Sequence, residues 1–216
     1  MRALSMTLLA VFLLGADAPP VEPGHRSGTL TLDELLGHMA TTRGVVAEFR
    51  EVKLLALLDA PLETRGTLYF VPPDKLARVT RSPAETRLLL TGDHMRFEDE
   101  AGASDIDLSA NPVARQFANN LIVLWRGDRA ALEAIYRLDY SADGSLWKLA
   151  LAPKGAPLDR FITSIRIAGD GRKVLDMDLL ETDGDRTHTV FEKTEVDHAF
   201  GPEEEQAIFG PSERSR

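Results

Sequence analysis

The first regular pattern of apolar positions along the chain is helical and lies between Leu32 and Arg43. Apolar side chains recur there every three or four residues, at Leu32, Leu35, Leu36 and Met39. Thr31 is followed three residues later by Glu34, which is the signature of a capping box at a helix start. The pattern therefore predicts one amphipathic helix, from Leu32 to Arg43.

From Val45 onward the apolar positions alternate with polar ones, which is the spacing of half-buried strands. The predicted strands are Val46–Leu57, Glu63–Val71, Lys75–Arg81, Glu85–Leu90, His94–Asp99, Ile135–Ala142, Leu146–Pro153, Ile162–Ala168, Lys173–Thr182 and Arg186–Val196. Gly and Asp separate many of them, as at Gly92-Asp93 and Asp143-Gly144, and these residues suit tight hairpins. Short strands joined by hairpins predict an antiparallel sheet rather than a βαβ fold.

A second helical pattern interrupts the strands between Ser109 and Arg137. Its apolar stripe consists of Phe117, Leu121, Ile122, Leu124 and Trp125. A further short helix is predicted at Arg129–Tyr136, and residues 201–216 are expected to form a loose polar tail. The chain is thus expected to be mainly β (α+β). Its sheet should curl because strand twist accumulates, and the N-terminal and central helices should cover the apolar concave face.

The first eighteen residues differ in composition from the rest of the chain. Arg2 precedes an apolar run, Leu8–Leu14, and small residues follow at Ala16 and Ala18. This order predicts a signal peptide over residues 1–18, although Pro19 is a poor residue after a cleavage site and leaves the cut position open. A flexible lead-in, 19–30, and a folded domain, 31–200, are expected to follow. The sequence has no cysteine that could carry a lipid anchor, so we expect a soluble periplasmic monomer.

Charge and motif content argue against several classes of function. The formal net charge of −9 disfavours binding to nucleic acid, whose phosphates would be repelled. The five histidines are scattered, and no spacing typical of a catalytic or metal site is found. Acidic residues cluster at Asp176, Asp178, Glu181, Asp183 and Asp185, but they lack calcium-loop spacing and suit a solvated strand face. We therefore expect no enzyme activity, no metal and no cofactor.

Two stretches, residues 45–97 and 151–200, share the order and spacing of their segments with a known family. The first contains GTLYFVPPDKL, which has the form G-x-L-x-x-x-x-P-x-x-L, and then Pro83 and the Gly92-Asp93 hairpin. Together the stretches resemble the LolA family, the periplasmic carriers of outer-membrane lipoproteins. The resemblance implies an unclosed antiparallel β-barrel of about ten to eleven strands, with helices as a lid over an apolar cavity for acyl chains. It also implies an inner-membrane transporter or exporter and an outer-membrane receptor as partners.

The sequence departs from the family pattern at three points. Family members typically carry an arginine just before the proline that aligns with Pro73, where it holds the lid, but Pro72 stands here and cannot donate a hydrogen bond. Arg78 occupies a position where many members have an aromatic residue in the cavity. The family's C-terminal strand and loop are shortened after Phe200. These departures favour a carrier for a non-protein lipid, such as a glycolipid, phospholipid or acyl-linked pigment, beside the lipoprotein carrier, and a lipid-sensing domain is the third alternative.

The predicted cavity combines inward-facing strand positions with the apolar face of the central helix. Its residues are Phe49, Leu68, Phe70, Leu76, Arg78, Leu88, Met95, Phe97, Phe117, Leu121, Trp125, Leu149, Leu151, Ile165, Ile167, Met177 and Leu179. About half of them are expected to pack only against the lid helices. Arg78 has two interpretations. It faces the interior and meets the headgroup of a lipid, or it faces water together with Arg81.

Overall fold

The computed structural model of the protein describes residues 28–56, 60–111, 114–115, 118 and 122–210. The predicted signal peptide, most of the predicted lead-in and residues 211–216 lie outside the described residues. Phe117 and Leu121 of the predicted cavity also lie outside them.

Eleven antiparallel strands form one sheet in the described part of the chain. They are β1 Val45–Leu54, β2 Leu62–Val71, β3 Lys75–Ser82, β4 Thr86–Thr91, β5 His94–Asp99, β6 Gly102–Asp107, β7 Tyr136–Asp143, β8 Leu146–Pro153, β9 Ile162–Asp170, β10 Lys173–Glu181 and β11 Arg186–Val196. The order across the sheet is β6-β5-β4-β3-β2-β1-β11-β10-β9-β8-β7, so β1 and β11 join the two blocks. Strands β6 and β7 are the free edges, and the sheet is an unclosed barrel, as expected.

Ten of these strands were predicted, with bounds that shift by up to three residues, and β6 was not. This strand, GASDID, is exposed along most of its length and shows no clear apolar alternation. It forms because the hairpin after Asp99 places it against β5, where His94 pairs with Asp107 and Met95 with Ile106. Backbone pairing rather than a hydrophobic face therefore defines β6.

Two helices lie on the same side of the sheet. Helix α1, Leu32–Ala40, has the predicted capping box at Thr31, but it ends three residues before the predicted Arg43. Hydrogen bonds from Thr31 lower the pKa of Glu34, which shows that the box stabilises the charged carboxylate. The central helical turns lead into helix α2, Arg129–Ile135, which is capped by Asp128. Among the described residues, no helix is both long and apolar enough to cross a membrane.

Alternation along the strands gives the sheet an inner and an outer face, and the inner face packs against α1 and the residues around Trp125. On β3, for example, Leu76 and Arg78 lie on the inner face and Ala77 on the outer face. The main core includes Leu35, Leu36, Met39, Val45, Phe70, Leu76, Leu90, Ile122, Val123, Leu124, Trp125, Leu132, Tyr136, Trp147, Leu149, Leu151, Ile167 and Val174. The helices therefore cover one end of the inner face.

The segment after Phe200 corrects the prediction of a loose tail. Residues Pro202–Phe209 form a third helix, α3, which packs on the outer face with Ile208 against Ala77 and Leu89. Proline in the first turn and three glutamates there favour helix formation at this point. Polar contacts also hold the helix, because Arg87 donates to the Ile208 carbonyl oxygen at 2.6 Å.

Candidate functional site

The register of the sheet places every described strand residue of the predicted cavity on the inner face. One row runs across β2, β3, β4 and β5 as Leu68, Arg78, Leu88 and Phe97. Two rows in the other block are Met177, Ile167 and Leu149, and Leu179, Ile165 and Leu151. Phe49 pairs with Phe191 where the two blocks meet. The predicted inward positions are therefore brought together on one surface, while lipid binding by them stays a prediction.

The inner face is covered at one end and accessible at the other. Phe49, Phe70, Leu76, Trp125, Leu149, Leu151 and Ile167 are buried, so they serve as core. Leu68, Leu88, Met95, Ile165, Met177 and Leu179 are half-buried, and Phe97 is 41% exposed. We call this second group, together with half-buried Phe191, the apolar strip. Exposed apolar surface of this kind is typical of a site that binds an apolar ligand.

Arg78 lies on the inner face, beside the apolar strip, while Arg81 lies on the outer face, where it donates to Thr67 at 2.6 Å. The Arg78 guanidinium carbon is 4.4 Å from the centre of the Phe49 ring. This is a cation–π contact. Gly66 makes it possible, since a Cβ there would lie 2.7 Å from the end of the Phe49 ring. Contacts with neighbouring side chains therefore hold Arg78 on the inner face.

Glu51 neutralises Arg78 inside the sheet. The Arg78 guanidinium donates to Glu51 Oε1 at 2.8 Å, and the two side chains are 31% and 20% exposed. Thr64 donates to Glu51 Oε1 at 3.4 Å, and Thr189 donates to Oε2 at 3.0 Å. Sequence reasoning missed this cluster because its members lie on four different strands. It gives the apolar strip one polar end.

Lys53 continues this polar end along β1. Its ammonium lies 2.7 Å from Glu181 Oε1 and 3.6 Å from Asp185 Oδ2, and the hydrogen bond to Glu181 raises the Lys53 pKa. Glu181, Asp183 and Asp185 offer oxygens within 4.8 Å of one another. The lysine ammonium already pairs with two of these three carboxylates, so this group functions as an ion pair at the sheet end.

Contacts between the helices and the sheet hold the cover in place. Arg126 donates from Nε to the Pro73 carbonyl oxygen at 2.9 Å. The sequence predicts no donor at Pro72, and the structure instead supplies a donor from the helical side. Arg129 in α2 pairs with Asp33 in α1 at 2.6 Å, which links the two helices. The covering elements are therefore joined to each other and to the β2–β3 turn.

A pocket of about 360 Å³ lies among β1, β2, β3 and β11, where the two blocks of the sheet meet. It is lined by Glu48, Phe49, Arg50, Arg65, Gly66, Arg81 and Glu192. Its lining is mostly charged, so its chemistry differs from that of the apolar cavity that the sequence predicts, although Phe49 belongs to both.

Comparisons with known proteins relate the chain to one family. Residues 26–208 match the family model described as outer membrane lipoprotein carrier protein LolA-like. The outer-membrane lipoprotein carrier protein of Pseudomonas aeruginosa is 21% identical over 201 residues, covering 93% of this chain and 91% of the relative. The corresponding protein of Pseudomonas paraeruginosa is 21% identical over 196 residues, covering 90% and 91%.

Some solved structures are similar to the chain at low sequence identity. A LolA superfamily protein from Nitrosomonas europaea has a TM-score of 0.44 and 10% identity, covering 84% of this chain and 98% of that one. A DUF1329 family protein from Desulfovibrio piger has a TM-score of 0.46 and 13% identity, covering 82% and 94%. The assignment rests on the family model, which spans most of the chain. The protein therefore belongs to the LolA-like family of outer membrane lipoprotein carrier proteins.

Proposed function

We propose that the protein is a non-enzymatic periplasmic carrier that holds acyl chains against its inner face and moves lipoproteins or lipids from the inner toward the outer membrane. The observation that carries this proposal is the apolar strip, which is half-exposed beside a helical cover. Family membership supports it, because the curated relatives are carrier proteins. An inner-membrane transporter and an outer-membrane receptor would be its partners.

A carrier is needed because exposing acyl chains to water costs free energy. Each methylene that leaves an apolar environment costs about 0.8 kcal/mol, so a lipidated molecule does not cross an aqueous space unaided. Leu68, Leu88 and Phe97 could cover one side of a chain and Ile165 and Met177 the other. Unbranched methionine side chains adapt to different chains, which suits a carrier with variable cargo.

A carrier for a non-protein lipid is the second candidate. The helical side, through Arg126, supplies the cover contact that the family pattern assigns to an arginine before Pro73. The cover is thus held differently from the family pattern, which supports a cargo other than a lipoprotein. Native mass spectrometry of protein purified from its own periplasm distinguishes the two, because a lipidated protein and a free lipid differ greatly in mass.

Two adjacent leucines on β10 provide a matched test of the binding surface. Leu179 lies on the inner face and Leu180 on the outer face, and both are half-buried. We expect Leu179→Gln to weaken binding of the neutral fluorescent probe N-phenyl-1-naphthylamine about tenfold, the effect of losing roughly 1.4 kcal/mol of apolar contact. Leu180→Gln should leave the affinity unchanged. Equal effects of the two variants on probe affinity, or no binding of the probe by the wild type, would contradict the proposal.

A further inference from the structure

The polar end of the apolar strip contains a complete ion pair rather than a free charge. Arg78 and Glu51 are 2.8 Å apart, and neither side chain is more than about a third exposed. Partial burial strengthens their interaction and makes it unfavourable to leave either charge without a partner. An incoming ligand therefore meets an arginine whose charge is already neutralised.

The charges around this end disfavour an additional anion. Glu51 and Arg78 sum to zero, and Lys53 with Glu181 and Asp185 sums to one negative charge. All lie toward the same end of the inner face. A ligand carboxylate or phosphate on Arg78 would lie near the Glu51 carboxylate. The Glu51 carboxylate would repel the ligand anion, or the ligand anion would displace Glu51 from Arg78. Both outcomes are unfavourable where water screens only part of the field.

Uncharged polar groups suit the same cluster well. An arginine has five N–H donors, and one nitrogen of Arg78 donates to Glu51. The Thr64 and Thr189 hydroxyls donate to Glu51, so each retains oxygen lone pairs that accept a hydrogen bond. A ligand carbonyl could accept from Arg78, and a ligand hydroxyl or amide N–H could donate to Thr64 or to Glu51, while buried Thr189 orients Glu51.

We propose that this end of the inner face, Glu51 with Arg78, Thr64 and Thr189, selects acyl chains that end in an uncharged ester, amide or glycerol group and discriminates against free fatty acids. The inference rests on the proposed function, since it assigns the polar end of the same acyl-binding surface. Acyl chains attached to a larger molecule through an ester or amide bond fit this site. Free carboxylates of the same chain length do not.

Monolaurin and laurate test the selection, because they share one acyl chain and differ in the charge of the polar end. Each is titrated below its micelle-forming concentration, at a pH where laurate is ionised, against protein loaded with N-phenyl-1-naphthylamine. Glu51→Gln removes the negative charge and keeps the shape and hydrogen-bonding groups. We expect this variant to raise the affinity for laurate, relative to monolaurin, about tenfold, because Arg78 is then free to pair with the carboxylate.

Glu48→Gln is the matched control, since Glu48 lies on the same strand and faces outward, where it pairs with Lys193. It should leave the ratio of the two affinities unchanged. The inference is overturned if wild-type protein binds laurate as tightly as monolaurin, or if Glu51→Gln leaves their ratio unchanged while the probe still binds. If neither ligand nor the probe binds the wild type, the proposed function fails with it.

Discussion

Replacing Gly127 with alanine tests whether the covering helix α1 lies against the central segment as described. Gly127 has φ +64°, and a Cβ there would lie 2.0 Å from the Leu36 carbonyl oxygen and 2.8 Å from the Ala40 backbone nitrogen. Both atoms belong to α1, and backbone atoms of a helix cannot move aside as a side chain can. The substitution must therefore push α1 away from the segment or strain both.

The magnitude follows from two contributions that a control variant separates. A left-handed backbone conformation costs a non-glycine residue about 1–2 kcal/mol. Overpacking of a tight contact adds about 1–3 kcal/mol. Gly144, in the β7–β8 turn, has φ +59° and no atom within 4 Å of the position that a Cβ would take, so Gly144→Ala carries only the first contribution. Gly127→Ala should therefore lower the free energy of unfolding by about 2 kcal/mol more than Gly144→Ala does.

Equilibrium unfolding in urea, followed by tryptophan fluorescence, measures the difference between the two variants. Trp125 is buried and stacks on Phe70 with 6.1 Å between ring centres, so its emission reports on the covered end of the inner face. The slope of unfolding against urea must stay similar for the comparison to hold. If the two variants lose stability equally, within about 0.5 kcal/mol, the close seating of α1 on Gly127 is refuted.

Further substitutions test other contacts. Arg126→Ala removes the donor to the β2–β3 turn, so we expect faster amide hydrogen exchange in residues 122–135, and unchanged exchange would contradict the contact. His198 has a pKa raised above its usual 6.5, first by its hydrogen bond to Glu204. The stability it contributes is therefore complete below pH 6.5 and is lost as the pH rises through the higher folded-state pKa. The stability difference between wild type and His198→Gln should shrink over that rise, and a constant difference would argue against the pair. Burial raises the pKa of Tyr136 to about 12, and its hydroxyl has no hydrogen-bond partner among the described residues, so Tyr136→Phe should not destabilise the protein. Tyr140→Phe should cost about 1 kcal/mol in urea unfolding, since Tyr140 donates to a backbone oxygen at 2.7 Å. Equal losses for the two tyrosines would contradict this assignment.

The inner face could be predicted from the sequence because alternation along a strand determines which side chains share a face. Leu68 and Leu88 were assigned inward, Arg78 was left open between the inner face and water, and the register places all three in one inner row. The same alternation does not reveal which residues lie beside one another across several strands. The partner of Arg78 is Glu51, which lies two strands away, so their ion pair depends on the whole register and on the space left by Gly66.

Helix α3 and strand β6 were missed for the same reason. The α3 segment contains Pro202 and three glutamates at its start, which are sound helix signals, but its single buried residue, Ile208, gives no apolar stripe. Strand β6 has only Ile106 partly buried and depends on backbone pairing with β5. Hydrophobic patterns identify elements that bury a face, and these two elements bury almost none.

The polar sequence of β6, which hides no apolar face, also affects how the protein behaves at high concentration. An open sheet edge presents unpaired backbone groups, which readily recruit a strand from another molecule and lead to aggregation. On this edge Asp107 places a negative charge beside the free backbone groups, Asp105 pairs with Arg96, and Gly102 begins a short strand. Two copies approaching edge to edge would repel each other. An unclosed barrel can thus stay open for cargo in a crowded compartment without polymerising through the opening.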